Sequence, residues 1–96
     1  MATATWKGVE IAKFSGEFPS VDGNVYFPSA ALNMEFFKPS THTSRCPYKG
    51  TASYFDVVVN GEVNKNAVWT YKTPKAGMEK IADHYAFWKG VKVTKL

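Results

Sequence analysis

Apolar and polar residues alternate in short runs along most of this chain, and the runs are separated by turn-forming pairs. Alternation with period two marks a half-buried strand. Thr3 to Trp6 alternates in this way, Lys7-Gly8 signals a turn, and Val9 to Phe14 follows, so the chain opens with a hairpin. Ser15 to Ser20 is expected as a loop. Asp22-Gly23-Asn24 is a turn of the Asp-Gly type, which puts Val25 to Phe27 on a return strand. Pro28 stops that strand, and Ser29 is placed to cap one helical turn through Leu32. Met34 to Phe37 is expected to be extended, ending at Lys38-Pro39-Ser40.

A loop then runs from Thr41 to the Lys49-Gly50 pair and feeds the longest strand signal. In that strand Ser53, Phe55, Val57 and Val59 are expected on one face, with Ala52, Tyr54, Asp56 and Val58 on the other. Asn60-Gly61 is the strongest hairpin signal. Its partner strand bends at Asn64-Lys65-Asn66 and continues with Ala67, Trp69 and Tyr71 on one face. Thr73-Pro74 fits a helix start, and Met78, Ile81, Ala82 and Tyr85 fall at helical spacing, which predicts a short amphipathic helix. Ala86 to Trp88, Lys89-Gly90 and Val91 to Thr94 read as a final hairpin. The sum is mainly β, with six to eight short strands in an antiparallel barrel or sandwich and one short accessory helix. A parallel α/β fold is disfavoured, since only one crossover helix is available.

Composition changes this picture little. Ninety-six residues make one domain, residues 1–96, that buries about 60–65% of its unfolded surface. An aromatic share of 16% supplies large core side chains. The single cysteine excludes an internal disulfide and any multi-cysteine zinc site, and it fits a reducing, cytoplasmic compartment. No apolar run reaches the roughly 18 residues of a membrane span, and no signal peptide is visible, so no membrane association is expected. After residue 64, seven lysines face only Glu79 and Asp83. That surplus is either a solvated face or a basic interaction module for an anionic or protein partner. Eleven of the twelve basic residues are lysine, which argues against nucleic acid, because bidentate reading favours arginine. Nothing in the sequence fixes an oligomeric state.

Candidate chemistry concentrates between Thr41 and Tyr54, which holds Cys46, the only arginine (Arg45) and His42. Cys46 could act as a nucleophile if His42, Arg45 and Lys49 lowered its pKa, although a lone cysteine is more often a small buried apolar residue. His42, His84 and Cys46 or Asp83 carry no metal-ligand spacing, and no metal or cofactor is expected. Lys49-Gly50 reverses the order of a phosphate-binding loop and precedes a strand. Glu35, Asp56 and Asp83 form no paired-carboxylate signature. The hydroxyls of Thr43 and Ser44, together with Cys46, Tyr48, Lys49, Tyr54, Trp69 and Tyr71, supply an aromatic wall with polar groups. A small-molecule pocket needs that combination.

Thr43-Ser44-Arg45-Cys46-Pro47-Tyr48-Lys49-Gly50-Thr51-Ala52-Ser53-Tyr54 resembles the family called DUF427, a domain of unknown function. Ala67-Val68-Trp69-Thr70-Tyr71, Pro74, and Ile81 leading to Tyr85-Ala86-Phe87 match that family's later order. The resemblance covers nearly the whole chain and is most specific over residues 41 to 88. It implies a small, mainly β domain of the tent-like sort. A nucleotidyltransferase-like label also attaches to the family, but the clustered carboxylates of that chemistry are missing here. Tent-like relatives often hold zinc on paired Cys-x-x-Cys knuckles, which a single cysteine cannot form.

Overall fold

The computed structural model describes residues 1–95. Ten strands are present among them: β1 (Ala2–Trp6), β2 (Val9–Phe14), β3 (Ser20–Val21), β4 (Asn24–Val25), β5 (Phe27–Pro28), β6 (Phe37–Cys46), β7 (Gly50–Val59), β8 (Glu62–Thr70), β9 (His84–Phe87) and β10 (Lys92–Lys95). They form three antiparallel sheets, ordered β10-β1-β2, β3-β4 and β5-β9-β8-β7-β6. The expectation of a mainly β, antiparallel chain stands. The barrel does not, because none of the sheets closes on itself.

Three hairpins rest on one local device. Lys7-Gly8, Asp22-Gly23 and Asn60-Gly61 each place two successive residues at positive φ, between 50° and 80°. That geometry matches the right-handed twist of the flanking strands, and glycine adopts it without a Cβ clash.

The main core lies between the three-stranded sheet and one face of the five-stranded sheet. Ala2, Ala4, Ile11 and Ala12 meet Phe37, Val57, Val59, Val68 and Phe87, with Phe27 and Leu32 beside them. A second, smaller cluster includes Ala52, Tyr71 and Ala86 on the large sheet, together with Tyr26 and Ile81. The central strands thus have apolar residues on both faces, and their two faces serve different clusters.

Several local expectations need correction. The helix from Met78 to Tyr85 is absent. Glu79–Ile81 forms only a short 3₁₀ turn, and Tyr85 lies on β9. Gly77 at φ 93° and Asp83 at φ 55° interrupt the helical geometry on either side. Ile81 joins the second cluster while Tyr85 joins the first, so the apparent helical stripe serves two cores. Thr41 to Cys46 is the end of edge strand β6 rather than a loop. Met34–Phe36 is a 3₁₀ turn rather than extended, and the turn at Ser29–Ala31 has no side-chain cap. The final hairpin does not form, since β9 pairs with β8 and β5 whereas β10 pairs with β1. Ala67 does not share a face with Trp69 and Tyr71. It packs in the main core with Val68, because the left-handed Asn66 (φ 58°) shifts the pleat within β8.

Candidate functional site

The site is carried by the face of the five-stranded sheet turned away from the main core. Side chains two residues apart on a strand share a face. Tyr54 on β7 stands directly opposite Trp69 on β8, and Trp69 opposite Ala86 on β9. The small Ala86 leaves space above β9. Trp88, just past that strand, turns back so that its ring meets Trp69 edge-on, with centroids 6.1 Å apart and an interplanar angle of 89°. Lys49, Tyr54, Trp69, Tyr71 and Trp88 line an open concavity of about 180 Å³.

Most polar atoms on these rings are already engaged. The Ser44 and Tyr54 hydroxyls share a 2.9 Å hydrogen bond. Trp69 Nε1 donates to the Tyr26 hydroxyl at 3.2 Å, and Trp88 Nε1 donates to the backbone oxygen of Asn66 at 2.6 Å. His42 packs its ring against Tyr54, with centroids 4.6 Å apart. The indoles are therefore held by their N–H edges, and the Lys89 ammonium lies 5.1 Å over the Trp88 ring. Tyr71 is only 6% exposed as a residue, and its hydroxyl, which has no hydrogen-bond partner among the described residues, is not itself buried and meets solvent. Burial raises its pKa, reinforced by neighbouring Tyr26 and Cys46 and opposed by Lys49.

The β6–β7 turn forms one end of the site. Cys46 pairs with Gly50, leaving Pro47, Tyr48 and Lys49 at the tip. Gly50 sits at φ 113°, and Lys75 N–H donates to the Lys49 carbonyl, which docks the segment after β8 against the turn. Lys49 folds inward. Its ammonium bonds Asp22 of the β3–β4 turn, and only 13% of its side chain is exposed. That bond raises the lysine pKa. The Cys46 thiol is half-buried. Its pKa is lowered by the backbone N–H groups of Tyr48 and then Lys49, with a further contribution from the Lys49 charge, against some opposition from burial and Asp22. No hydrogen bond joins it to His42, so no general base stands on the thiol among the described residues.

Of the eight residues singled out by sequence, Lys49, Tyr54, Trp69 and Tyr71 line the concavity. Ser44 braces Tyr54, and Cys46 packs beside the second cluster. Thr43 and Tyr48 do not belong to this wall. Thr43 is exposed and pairs with Ser53 on the opposite side of the pleat, and Tyr48 is 77% exposed at the turn tip. Sequence reasoning missed Trp88, Asp22 and Tyr26. Trp88 falls in the expected final hairpin, which does not form. The available signal was a tryptophan directly before a Lys-Gly turn and two residues after a small alanine. His42 and His84 lie on β6 and β9, separated in the sheet by β7 and β8. Among the described residues, no three His, Cys, Asp or Glu side chains assemble into a metal-binding group.

These features define a class: an open antiparallel β-sheet domain with an aromatic-walled, lysine-bearing concavity. A family model described as a domain of unknown function, DUF427, matches residues 4–95. The chain belongs to the DUF427 family. A search of curated proteins found no match to the chain. Among the described residues, no helix is long and apolar enough to cross a membrane.

Proposed function

We propose that this protein is a binding domain that takes a small molecule in the concavity lined by Lys49, Tyr54, Trp69, Tyr71 and Trp88. One observation carries the proposal: the indole N–H groups are satisfied within the protein while two indoles, two tyrosines and a lysine border an open space. Pre-formed aromatic walls with a few convergent polar groups are the usual makings of a ligand site. Trp88 is 46% exposed, an arrangement that favours contact with a ligand over core packing.

The test is a thermal-shift screen against small metabolites, followed by NMR of the indole N–H groups. A binder raises the melting temperature with its concentration and moves the Trp69 and Trp88 signals. Trp88→Ala should weaken that binder by about tenfold, in line with the loss of a ring contact and the apolar area it covers. A broad set with no binder, or a binder indifferent to Trp88→Ala, would refute the proposal.

A further inference from the structure

We infer that the ligand of this concavity is a small planar carboxylate, its acid group received by Lys49 and the Tyr71 hydroxyl and its flat body laid against Trp69 and Trp88. This inference rests on the binding function proposed above and names the ligand class. Three observations lead to it.

The first is an inventory of free polar groups. The Trp69 and Trp88 N–H groups are spent within the chain, and the Tyr54 hydroxyl is tied to Ser44 by one hydrogen bond. Two further polar groups of the lining have donors to spare. The Tyr71 hydroxyl belongs to a side chain more than nine-tenths buried, has no partner, and lies close enough to Lys49, Tyr26, Cys46 and Tyr54 for their charges to act on it. The Lys49 ammonium has three protons, of which Asp22 receives one. A carboxylate has two oxygens and accepts from both groups at once.

The second is charge. Lys49 is the one cation lining the concavity, and Lys89 sits 5.1 Å over the ring of Trp88. Both repel a cationic guest, so the aromatic walls do not form a cage for an ammonium ion. Asp22, 70% exposed, offsets part of the Lys49 charge but is itself screened by solvent. One half-committed ammonium suits a single negative charge. A phosphate monoester brings nearly two negative charges, more than this one half-committed ammonium balances.

The third is size and shape. About 180 Å³ is below the range of roughly 300–1,000 Å³ common for drug-sized ligands. It suits one ring bearing one acid group. The perpendicular Trp69 and Trp88 rings offer one face and one edge to that ring.

The experiment titrates the full chain with benzoate, benzamide, cyclohexanecarboxylate and inorganic phosphate, observing the indole N–H signals of Trp69 and Trp88. Benzoate should give a saturable shift and bind at least about tenfold more tightly than benzamide, since a hydrogen bond to a charged group is the stronger kind. Lys49→Met and Tyr71→Phe should each weaken benzoate by a larger factor than benzamide, so that the preference for the acid shrinks. Tyr71→Phe keeps the ring and its packing, so it remains informative if Lys49→Met fails to fold. Equal binding of benzoate and benzamide overturns the carboxylate assignment and leaves the binding proposal standing. Equal binding of cyclohexanecarboxylate overturns the planar assignment. Phosphate binding as tight as benzoate also overturns the carboxylate assignment. A silent benzoate titration overturns this inference, and only a silent metabolite screen beside it removes the binding function as well.

Discussion

Asn66 shows how much one residue can organise. Its φ of 58° lies in the left-handed region, which asparagine visits more readily than most residues. Its N–H donates to Asp56, its Oδ1 accepts from Ser40, and its carbonyl accepts from the indole of Trp88. The backbone reversal in β8 and the placement of Trp88 therefore have one cause. Asn66→Ala should cost about 1–2 kcal/mol, from strain at positive φ and the lost side-chain bond. Asn66→Gly should cost less, because glycine adopts this φ freely. Urea denaturation of the two variants decides this, and an alanine variant as stable as the parent refutes it. A bend at Asn64-Lys65-Asn66 was legible from local polarity. The partners were not, because Ser40 and Trp88 lie 26 and 22 residues away along the chain.

At the scale of elements, the β6–β7 turn depends on Gly50. Its φ of 113° is a region that side chains rarely enter, and a Cβ would also meet the Thr73 carbonyl at 3.5 Å. Gly50→Ala should destabilise the fold by about 1–3 kcal/mol. It should also speed hydrogen exchange at the Lys75 amide, which bonds Lys49 across this contact. Unchanged exchange at Lys75 would show that the turn and the segment after β8 are not coupled. Reversals of the X-Gly kind could be read directly from sequence, since two successive positive φ values select those residues locally. Edge strand β6 could not. From Thr41 to Arg45 its residues are polar on both faces, and from Thr43 onward it is pairing to β7 that holds them extended. The false helix arose because Met78, Ile81, Ala82 and Tyr85 kept helical spacing, while Met78 and Ile81 serve one core and Tyr85 the other. Four of the five residues lining the concavity were legible because their aromatic and lysine side chains fall in two short stretches of the chain. Trp88 was hidden by the same mistaken final hairpin.

For the whole molecule, titrating groups in both clusters predict a stability limit in alkali. Tyr71 has its pKa raised by burial, and Tyr85 by burial and then Asp83. Their stabilising contribution is complete below the ordinary tyrosine value of about 10 and is lost as pH rises through the higher folded values. Lys49, raised chiefly by its bond to Asp22, behaves with the same sign. Cys46, lowered by backbone N–H groups, acts in the opposite sense: its contribution is present above the ordinary thiol value and disappears as pH falls through the lower folded one. Its exposure makes that effect small. The urea midpoint should therefore fall above about pH 10, and Tyr71→Phe should make the fall shallower. A midpoint that stays level between about pH 10 and 11.5 would contradict this. The break in β6 also matters for life among many copies. The outer side of that ten-residue strand is unpaired in the sheet, an open row on which another chain could zip and begin a fibre. Pro39 offers no N–H there, the register slips between Pro39 and Thr43, and Lys38 and Arg45 place charge at both ends. The kink that brings Ser40 to Asn66 thus also denies neighbouring chains a continuous template for runaway self-assembly.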